Sequence, residues 1–281
     1  HCLVGMVGSA TCCAGRRAKP HLVHPPFLRA SSAYPDAVSS PYESENPFDR
    51  IESFTPNSEI TINPRATGSL AELVTWWQQR GTVLTPHRLE PTAGDFGSGV
   101  VAVDAAVDAG ATLLYFMSDI QAEPVVTRAI IGLLARKDAW QVTHQPPGMS
   151  DQQVMDNITA TVNLMRDNRE SRAQPRELAL LDSTGAIAFY VDALLEAAVR
   201  KTPVILGSTQ ELAAALISHR ISMKASRWWR NATTSPDRAV GQAVERMDIA
   251  AGLPLDLSDD QGVGAQISVE LLQSFTSDSP Q

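Results

Sequence analysis

A short turn near the carboxyl end of the chain carries residues that could do chemistry. Asp259 and Asp260 stand directly before Gln261, and Gly262 and Gly264 follow, ahead of the apolar run AQISVELL. A carboxylate at such a helix entrance can act as a general base, whereas the neutral amide of Gln261 cannot take up a proton. The alternative for the two acids is helix capping, since an acid suits the positive end of a helix dipole. Capping is the favoured interpretation, and catalysis by either acid stays open.

A second group with binding potential is MKASRWWRN, in which Arg227 and Arg230 flank two tryptophans. Guanidinium groups and indole rings can stack on a flat ligand, and guanidinium groups also bind phosphate. A packed helix edge or a subunit contact is the commoner use of such a segment and is favoured here. His144 and His219 each lack an acid or cysteine partner nearby in sequence, so surface or capping roles are predicted for both.

Composition argues against several classes of function. The 281 residues carry a formal net charge of -8 without a basic run, which disfavours a nucleic-acid surface. No apolar run approaches the roughly 20 residues that cross a bilayer. Cys2, Cys12 and Cys13 lack the spacing of a structural zinc site, even with His21 and His24 nearby. The sequence therefore predicts a soluble, cytoplasmic protein with no metal, cofactor, membrane contact or nucleic-acid partner.

The elements that would position these residues follow a polar tail. Residues 1–47 are rich in Pro, Ser, Ala and Gly and are predicted to form a flexible tail. Beyond it, helical runs such as GSLAELVTWWQQ and GAIAFYVDALLEAAV alternate with the short apolar runs ATLLYF and PVILG. This alternation predicts a three-layer α/β fold, with helices on both faces of a mainly parallel sheet. The predicted domain covers residues 48–281, with the sheet in about 97–225 and a small helical part formed by about 48–92 and the C-terminal helices.

Five stretches together carry a resemblance to a known family. They are ITINPRATGSLAELVTWW, AGDFG, VDAGATLLYF, KTPVILGSTQELAAALIS and the pair AGLPLDL and GVGAQISVELL. In this order the chain, from about Phe48 to Phe275, resembles the nicotinate-nucleotide:dimethylbenzimidazole phosphoribosyltransferases. That family makes the lower-ligand nucleotide of cobalamin. The resemblance implies transfer of ribose phosphate from nicotinate mononucleotide to a benzimidazole, and a homodimer.

The departures from the family pattern fall on the segments that do the chemistry. The family's glycine-rich phosphate loop is replaced by MSDIQAEPV, Met117–Val125, which contains no glycine. Its RGTG loop becomes QPPG, which keeps only Gly148, and its DGF turn becomes GST at Gly207–Thr209. Gln261 stands where the family's catalytic glutamate is expected. In the family the counterpart of AGDFG reads AGDHG, and the long segment that follows it there is missing here.

The resemblance assigns roles to particular residues. Gln261 takes the catalytic position, and Asp260 and Asp259 are the acids that could replace the lost glutamate. The positions implied for substrate binding are Ser118, Glu123, Gly148, Gly207, Ser208, Gly262 and Gly264. Three alternatives remain open: a divergent active transferase, a catalytically inactive relative that binds a ligand or partner protein, and a structural protein without a ligand.

One expectation concerns the replaced phosphate loop. Ser118, Asp119 and Glu123 lie close to the helix predicted to begin near Pro124, whose amino end has unsatisfied N–H groups. We expect one of these side chains to cap that helix and so occupy the family's phosphate position. An inherited site further requires Gly148, Gly207 and Gln261 to lie in the same cleft as this loop.

Overall fold

The structure is a computed structural model that describes residues 51–60, 64–81, 83–91, 96–257 and 261–276. The predicted tail of residues 1–47 lies outside these ranges, as do Asp259 and Asp260. The prediction of a flexible tail and the proposed roles of the two acids therefore remain predictions.

Helices make up most of the described chain and alternate with short strands. The strands are β1 (Pro86–Leu89), β2 (Leu113–Phe116), β3 (Val204–Leu206) and β4 (Trp229–Asn231). The helices are α1 (Gly68–Gln78), α2 (Ser98–Asp108), α3 (Pro124–Ala135), α4 (Ala139–Val142), α5 (Asp151–Asp167), α6 (Pro175–Ala179), α7 (Ala186–Val199), α8 (Thr209–Ile221), α9 (Arg238–Met247) and α10 (Val263–Thr276). Two 3₁₀ segments span Glu170–Ala173 and Ala225–Trp228.

The four strands form one parallel sheet in the order β1-β2-β3-β4. Successive side chains of a strand point to opposite faces, and the core divides accordingly. Leu113 and Ile205 pack with α1 and α10 on one face, whereas Leu114, Val204 and Leu206 pack with the remaining long helices on the other. The predicted three-layer α/β fold is confirmed, and α1 with α10 forms the helical layer contributed by the two ends of the domain.

The two central strands were predicted from their apolar runs, whereas the outer strands were not. β1 has the sequence PHRL and buries only Leu89, so it lacks an apolar signal. β4 corrects the helix-edge interpretation of MKASRWWRN, because a 3₁₀ turn leads there into a strand. β1 and β4 extend the sheet beyond the predicted range of about 97–225.

The described helices give no candidate for a membrane span, because none is both long enough and apolar enough. Across the same residues, no cluster of three or more histidines, cysteines or acids is placed to hold a metal ion.

Candidate active site

The carboxyl ends of the four strands meet at one edge of the sheet, where open α/β sheets bind their ligands. A cleft of about 360 Å³ opens there beside the ends of β1 and β2. We call it the strand-end cleft, and it is lined by Arg88, Glu90, Pro91, Met117, Ser118, Asp119, Ile120 and Gln261.

Gln261 reaches the strand-end cleft because the loop before α10 lies directly against the end of β2. The backbone N–H of Ser118 donates to the carbonyl of Gln261 at 3.2 Å. Gly262 has a φ of 92°, and a Cβ added there would lie 2.2 Å from the carbonyl oxygen of Phe116. Glycine is therefore the residue that fits at 262, and its fit fixes Gln261 beside Ser118.

The first turn of α10 also packs closely on the ends of β3 and β4. A Cβ on Gly207, which follows β3, would lie 2.8 Å from the Cβ of Ala265. A Cβ on Gly264 would lie 3.0 Å from the hydroxyl oxygen of Thr233, which follows β4. The sequence GVGA thus serves as a close-packing surface for three strand ends, and a larger residue at 207 would push α10 away from the sheet.

A buried carboxylate organises the turn after β3. Glu211, 1% exposed, accepts a hydrogen bond from the backbone N–H of Gly207 at 2.7 Å and another from the hydroxyl of Ser208 at 2.8 Å. The hydroxyl oxygen of Ser208 in turn accepts from the backbone N–H of Glu211 at 3.3 Å. This is a capping interaction between the first residues of α8 and the residue before them. It holds Gly207 in the position where α10 contacts it.

Tyr190 closes the polar cluster beneath the cleft from the side of α7. Its hydroxyl accepts a hydrogen bond from the amide of Gln210 at 3.3 Å, while the side-chain oxygen of Gln210 accepts from the backbone N–H of Ala122 at 2.9 Å. Burial raises the pKa of Tyr190, and the nearby Glu211 raises it further. Tyr190 therefore stays protonated and supports the loop after β2 instead of exchanging a proton.

Comparison with known proteins identifies the family. A family model described as phosphoribosyltransferase matches residues 80–277. The nicotinate-nucleotide–dimethylbenzimidazole phosphoribosyltransferase of Streptomyces avermitilis is 31% identical over 193 residues. The chain belongs to this family. The enzyme of the same name from Corynebacterium glutamicum is 25% identical over 269 residues, which cover 89% of this chain and 72% of that relative.

Two further comparisons set the extent of the likeness. The match to the S. avermitilis phosphoribosyltransferase covers 66% of this chain and 50% of the relative, so the chain spans about half the length of several curated relatives it matches. The crystal structure of CobT from Thermus thermophilus superposes with a TM-score of 0.55 at 19% identity, over 63% of this chain and 53% of CobT. This structural likeness shows the fold, a helix-layered parallel sheet.

Most of the family positions predicted for the site meet at the carboxyl edge of the sheet. Those brought together there are Ser118, Gly207, Ser208, Gln261, Gly262 and Gly264. Glu123 is exposed at the start of α3 and does not line the strand-end cleft. Gly148 lies in the turn before α5, with open space where a side chain would stand, and no described contact brings it to the cleft. Of the residues expected in one cleft with the loop, Gln261 lines it, Gly207 packs against Gly262 and Ala265 beside it, and Gly148 is not brought there.

The expected capping of α3 by the replaced loop is wrong. Glu123 occupies the position before the helix, but its side chain accepts no hydrogen bond there. The hydroxyl of Ser118 instead bonds Ile120, accepting from its N–H at 2.9 Å and donating to its carbonyl at 2.8 Å. The polar side chains of this loop stabilise the loop itself, and Pro124 at the first helical position has no N–H to be capped.

Sequence reasoning missed the contribution of β1 to the cleft. Arg88 and Glu90, which form an ion pair, and Pro91 all come from this strand and its end. β1 is an edge strand with polar residues, so hydrophobic periodicity cannot reveal it. The role of Glu211 did have a signal, because Ser208 and Glu211 have the S-x-x-E spacing of a capping box.

The segment MKASRWWRN packs into the fold and contributes no residue to the lining of the strand-end cleft. Arg230, 2% exposed, lies in β4 and donates to the carbonyl of Ala251 at 3.3 Å. Burial lowers the pKa of Arg230. Trp228 meets the ring of Phe54 edge-on at 5.3 Å between centroids, and Trp229 is buried. The packing interpretation is confirmed for these residues, whereas Arg227 is exposed.

Proposed function

We propose that the strand-end cleft binds a phosphoribosyl nucleotide and that the chain transfers its ribose phosphate to a benzimidazole. Nicotinate mononucleotide and dimethylbenzimidazole are the substrates that the names of the relatives indicate for those proteins. The observation that carries the proposal is the contact of Ser118 with Gln261 and Gly262 at the carboxyl edge of the sheet. The resemblance assigns these residues to the family's phosphate-loop and catalytic positions, and a homodimer is proposed on the same basis.

The reaction needs a base in this cleft. A ring nitrogen of the benzimidazole attacks C1 of the ribose, the bond from C1 to the nicotinate nitrogen breaks, and the benzimidazole N–H proton must be accepted. The amide of Gln261 cannot accept that proton, and losing general-base assistance typically lowers the rate about 10²- to 10⁴-fold. Slow transfer is therefore expected from the wild-type chain.

Two carboxylates that line the described part of the cleft are candidates for the base. Glu90 and Asp119 both line the cleft with Gln261, although Glu90 is already paired with Arg88. We assign the residual base function to Asp119, which lies on the loop after β2 next to Ser118. Asp119→Asn should then lower the residual rate at least tenfold by removing the proton acceptor, while Glu90→Gln should act mainly on substrate affinity through Arg88. Equal rates in Asp119→Asn and wild type would contradict this assignment and leave Asp259 and Asp260 as candidates.

Phosphate binding in this chain must rely on charge. Met117–Val125 contains no glycine, so its backbone cannot approach a phosphate as a glycine-rich loop does. Arg88 is the cation in the lining of the strand-end cleft, and a guanidinium group can bind phosphate through two parallel hydrogen bonds. We assign the phosphate of the nucleotide to Arg88.

The activity is tested by restoring the family glutamate. Gln261→Glu should raise phosphoribosyl transfer about 10²-fold or more, because the carboxylate supplies a base beside the bound substrate. Gln261→Asn is the matched control, since it changes the side chain without adding a base, and it should leave the rate at or below that of wild type. The measurement is chromatographic detection of the benzimidazole ribotide from nicotinate mononucleotide and dimethylbenzimidazole.

A second candidate function is a non-catalytic relative that binds the nucleotide or a partner protein. The neutral Gln261 and the absence of glycine from Met117–Val125 favour it. Binding heat with nicotinate mononucleotide but no product from either wild type or Gln261→Glu would support this candidate over the transferase. No binding heat at all would leave the structural alternative.

A further inference from the structure

Five arginines line a second cleft of about 250 Å³, which shares no residue with the strand-end cleft. We call it the arginine cleft. The five are Arg136, Arg169, Arg172, Arg220 and Arg246, and the acid in its lining is Glu170. The remaining lining residues, Leu133, Leu134 and Ala173, are apolar. A strongly positive surface is thus built on a chain with a formal net charge of -8.

The arginines come from four separate parts of the chain. Arg136 directly follows α3, Arg220 and Arg246 lie in the last turns of α8 and α9, and Arg169 and Arg172 lie at the 3₁₀ segment after α5. α8 starts at the carboxyl end of β3 and has 13 residues. Its two ends are therefore about 20 Å apart. The arginine cleft lies at the end of α8 that is remote from the carboxyl edge of the sheet.

The five guanidinium groups of the arginine cleft have no acidic partner among the residues that the structure describes. None of the five forms an ion pair or a side-chain hydrogen bond within the described residues. By contrast, Arg128 pairs with Asp237, Arg176 with Asp192, and Arg200 with Asp104 and Asp108. The arginine cleft therefore holds several like charges together without neutralising them.

A role in helix stability explains part of this arrangement. Cations near the carboxyl end of a helix interact favourably with its dipole, which accounts for Arg220 and Arg246. It does not account for Arg172, which belongs to a 3₁₀ segment. Arg136 has a φ of 60°, a conformation in which glycine is usual after a helix, so an arginine is held there at a conformational cost. Helix stability also gives no reason for the ends of these helices to share one concave surface.

We propose that the arginine cleft binds an anion that carries two or more phosphate groups. Guanidinium groups suit phosphate because their planar forks form paired hydrogen bonds, and five of them carry more positive charge than one phosphate group can neutralise. The volume of about 250 Å³ falls below the range of roughly 300–1,000 Å³ of typical ligand pockets. It therefore suits the phosphate portion of a ligand.

An adjoining cavity has room for an organic portion. It measures about 770 Å³, shares Arg220 and Arg246 with the arginine cleft, and includes the apolar side chains of Phe54, Met223 and Met247. Both an inorganic polyphosphate and a nucleoside diphosphate have the required phosphate groups. A nucleoside diphosphate would additionally place its base against these apolar residues.

Calorimetric titration of the full chain with inorganic pyrophosphate tests the proposal. Wild type should bind, and the Arg220→Gln/Arg246→Gln variant should bind about 100-fold more weakly, because charge-assisted hydrogen bonds are lost at two positions. Arg238→Gln, which removes an arginine from the opposite end of α9, is the control and should bind as wild type does. Arg88→Gln removes the cation of the strand-end cleft, so pyrophosphate affinity that remains in this variant belongs to the arginine cleft.

Several results would overturn the proposal. These are no binding by wild type, equal affinity for orthophosphate and pyrophosphate, or loss of binding in Arg88→Gln with retention in the double variant. Thermal unfolding without ligand checks the fold: the double variant loses two favourable helix-dipole contacts but also two like charges, so its melting temperature should change little. A lower melting temperature with unchanged pyrophosphate affinity would show that the arginines serve the helices alone. Tighter binding of ADP than of pyrophosphate assigns the base to the adjoining cavity, and equal affinity confines the ligand to the arginine cleft.

Discussion

The strand-end cleft and the arginine cleft are built in different ways. At the strand ends, backbones lie so close that Gly207 and Gly262 leave no space for a side chain, and the charge of Arg88 is paired with Glu90. In the arginine cleft, within the described residues, the five guanidinium charges have no ion-pair partner. The difference indicates that glycine substitutions in the first region change the fold, whereas arginine substitutions in the second change affinity for an anion.

The largest effect on stability is expected for Gly262→Ala. The new Cβ would lie 2.2 Å from the carbonyl oxygen of Phe116, and φ is 92°. Overpacking and the unfavourable dihedral together should lower the free energy of unfolding by about 4 kcal/mol. Gly241→Ala is the control, because nothing lies within 4 Å of that position in α9. It should raise stability by about 0.5–1 kcal/mol. Denaturant unfolding measures both, and equal effects would contradict the packing account.

The next effect concerns the buried carboxylate beneath the strand ends. Glu211→Ala leaves the N–H of Gly207 and the hydroxyl of Ser208 without their acceptor and should lower the free energy of unfolding by about 3 kcal/mol. Glu211→Gln retains one oxygen acceptor at the same place, so its effect should be about 1 kcal/mol. Denaturant unfolding again provides the measurement. A loss of less than about 1 kcal/mol for the alanine variant would show that the carboxylate does not support this turn.

The smallest effect is a pH dependence near the arginine cleft. Burial lowers the pKa of His219, and Arg246 and Arg220 lower it further. The unfolded chain therefore binds a proton at a higher pH than the folded chain, so stability falls as pH decreases through the ordinary histidine range near about 6.5. His219 lines the cavity that adjoins the arginine cleft, and the other charged groups of that lining are Lys224, Arg227 and Asp248, with Arg220 and Arg246.

His219→Gln should flatten this dependence, as measured by thermal unfolding between about pH 5 and about pH 8, where histidine titrates. His144→Gln provides the comparison, because it removes a histidine that does not line this cavity. An unchanged slope in His219→Gln would assign the pH dependence to other groups.

The sequence predicts the interior of this fold better than its edges. β2 and β3 are apolar runs that are largely buried, and α7 is buried along nearly its whole length, so composition alone marks them. β1 is not predicted, because its polar side chains border solvent at the sheet edge. β4 is not predicted, because a sequence of two tryptophans beside arginines is as typical of a helix edge as of a strand.

The two clefts differ in the same way. The family resemblance places Ser118, Gly207 and Gln261 together correctly, because their order along parallel strands fixes where they meet. It does not indicate that Gly262 serves close packing, which depends on the distance between two backbones. The arginine cleft gives no signal in sequence, since its members are far apart in the chain and meet only when several helices end at one place.

The central claim, that the strand-end cleft binds the nucleotide, is tested most directly by one calorimetric titration with nicotinate mononucleotide. Wild type, Arg88→Gln and Arg220→Gln/Arg246→Gln would be compared under the same conditions. Arg88→Gln should weaken binding about tenfold or more, through loss of a charge-assisted hydrogen bond to the phosphate, while the double variant should match wild type. Full affinity in Arg88→Gln together with loss in the double variant would place the nucleotide in the arginine cleft and contradict the claim.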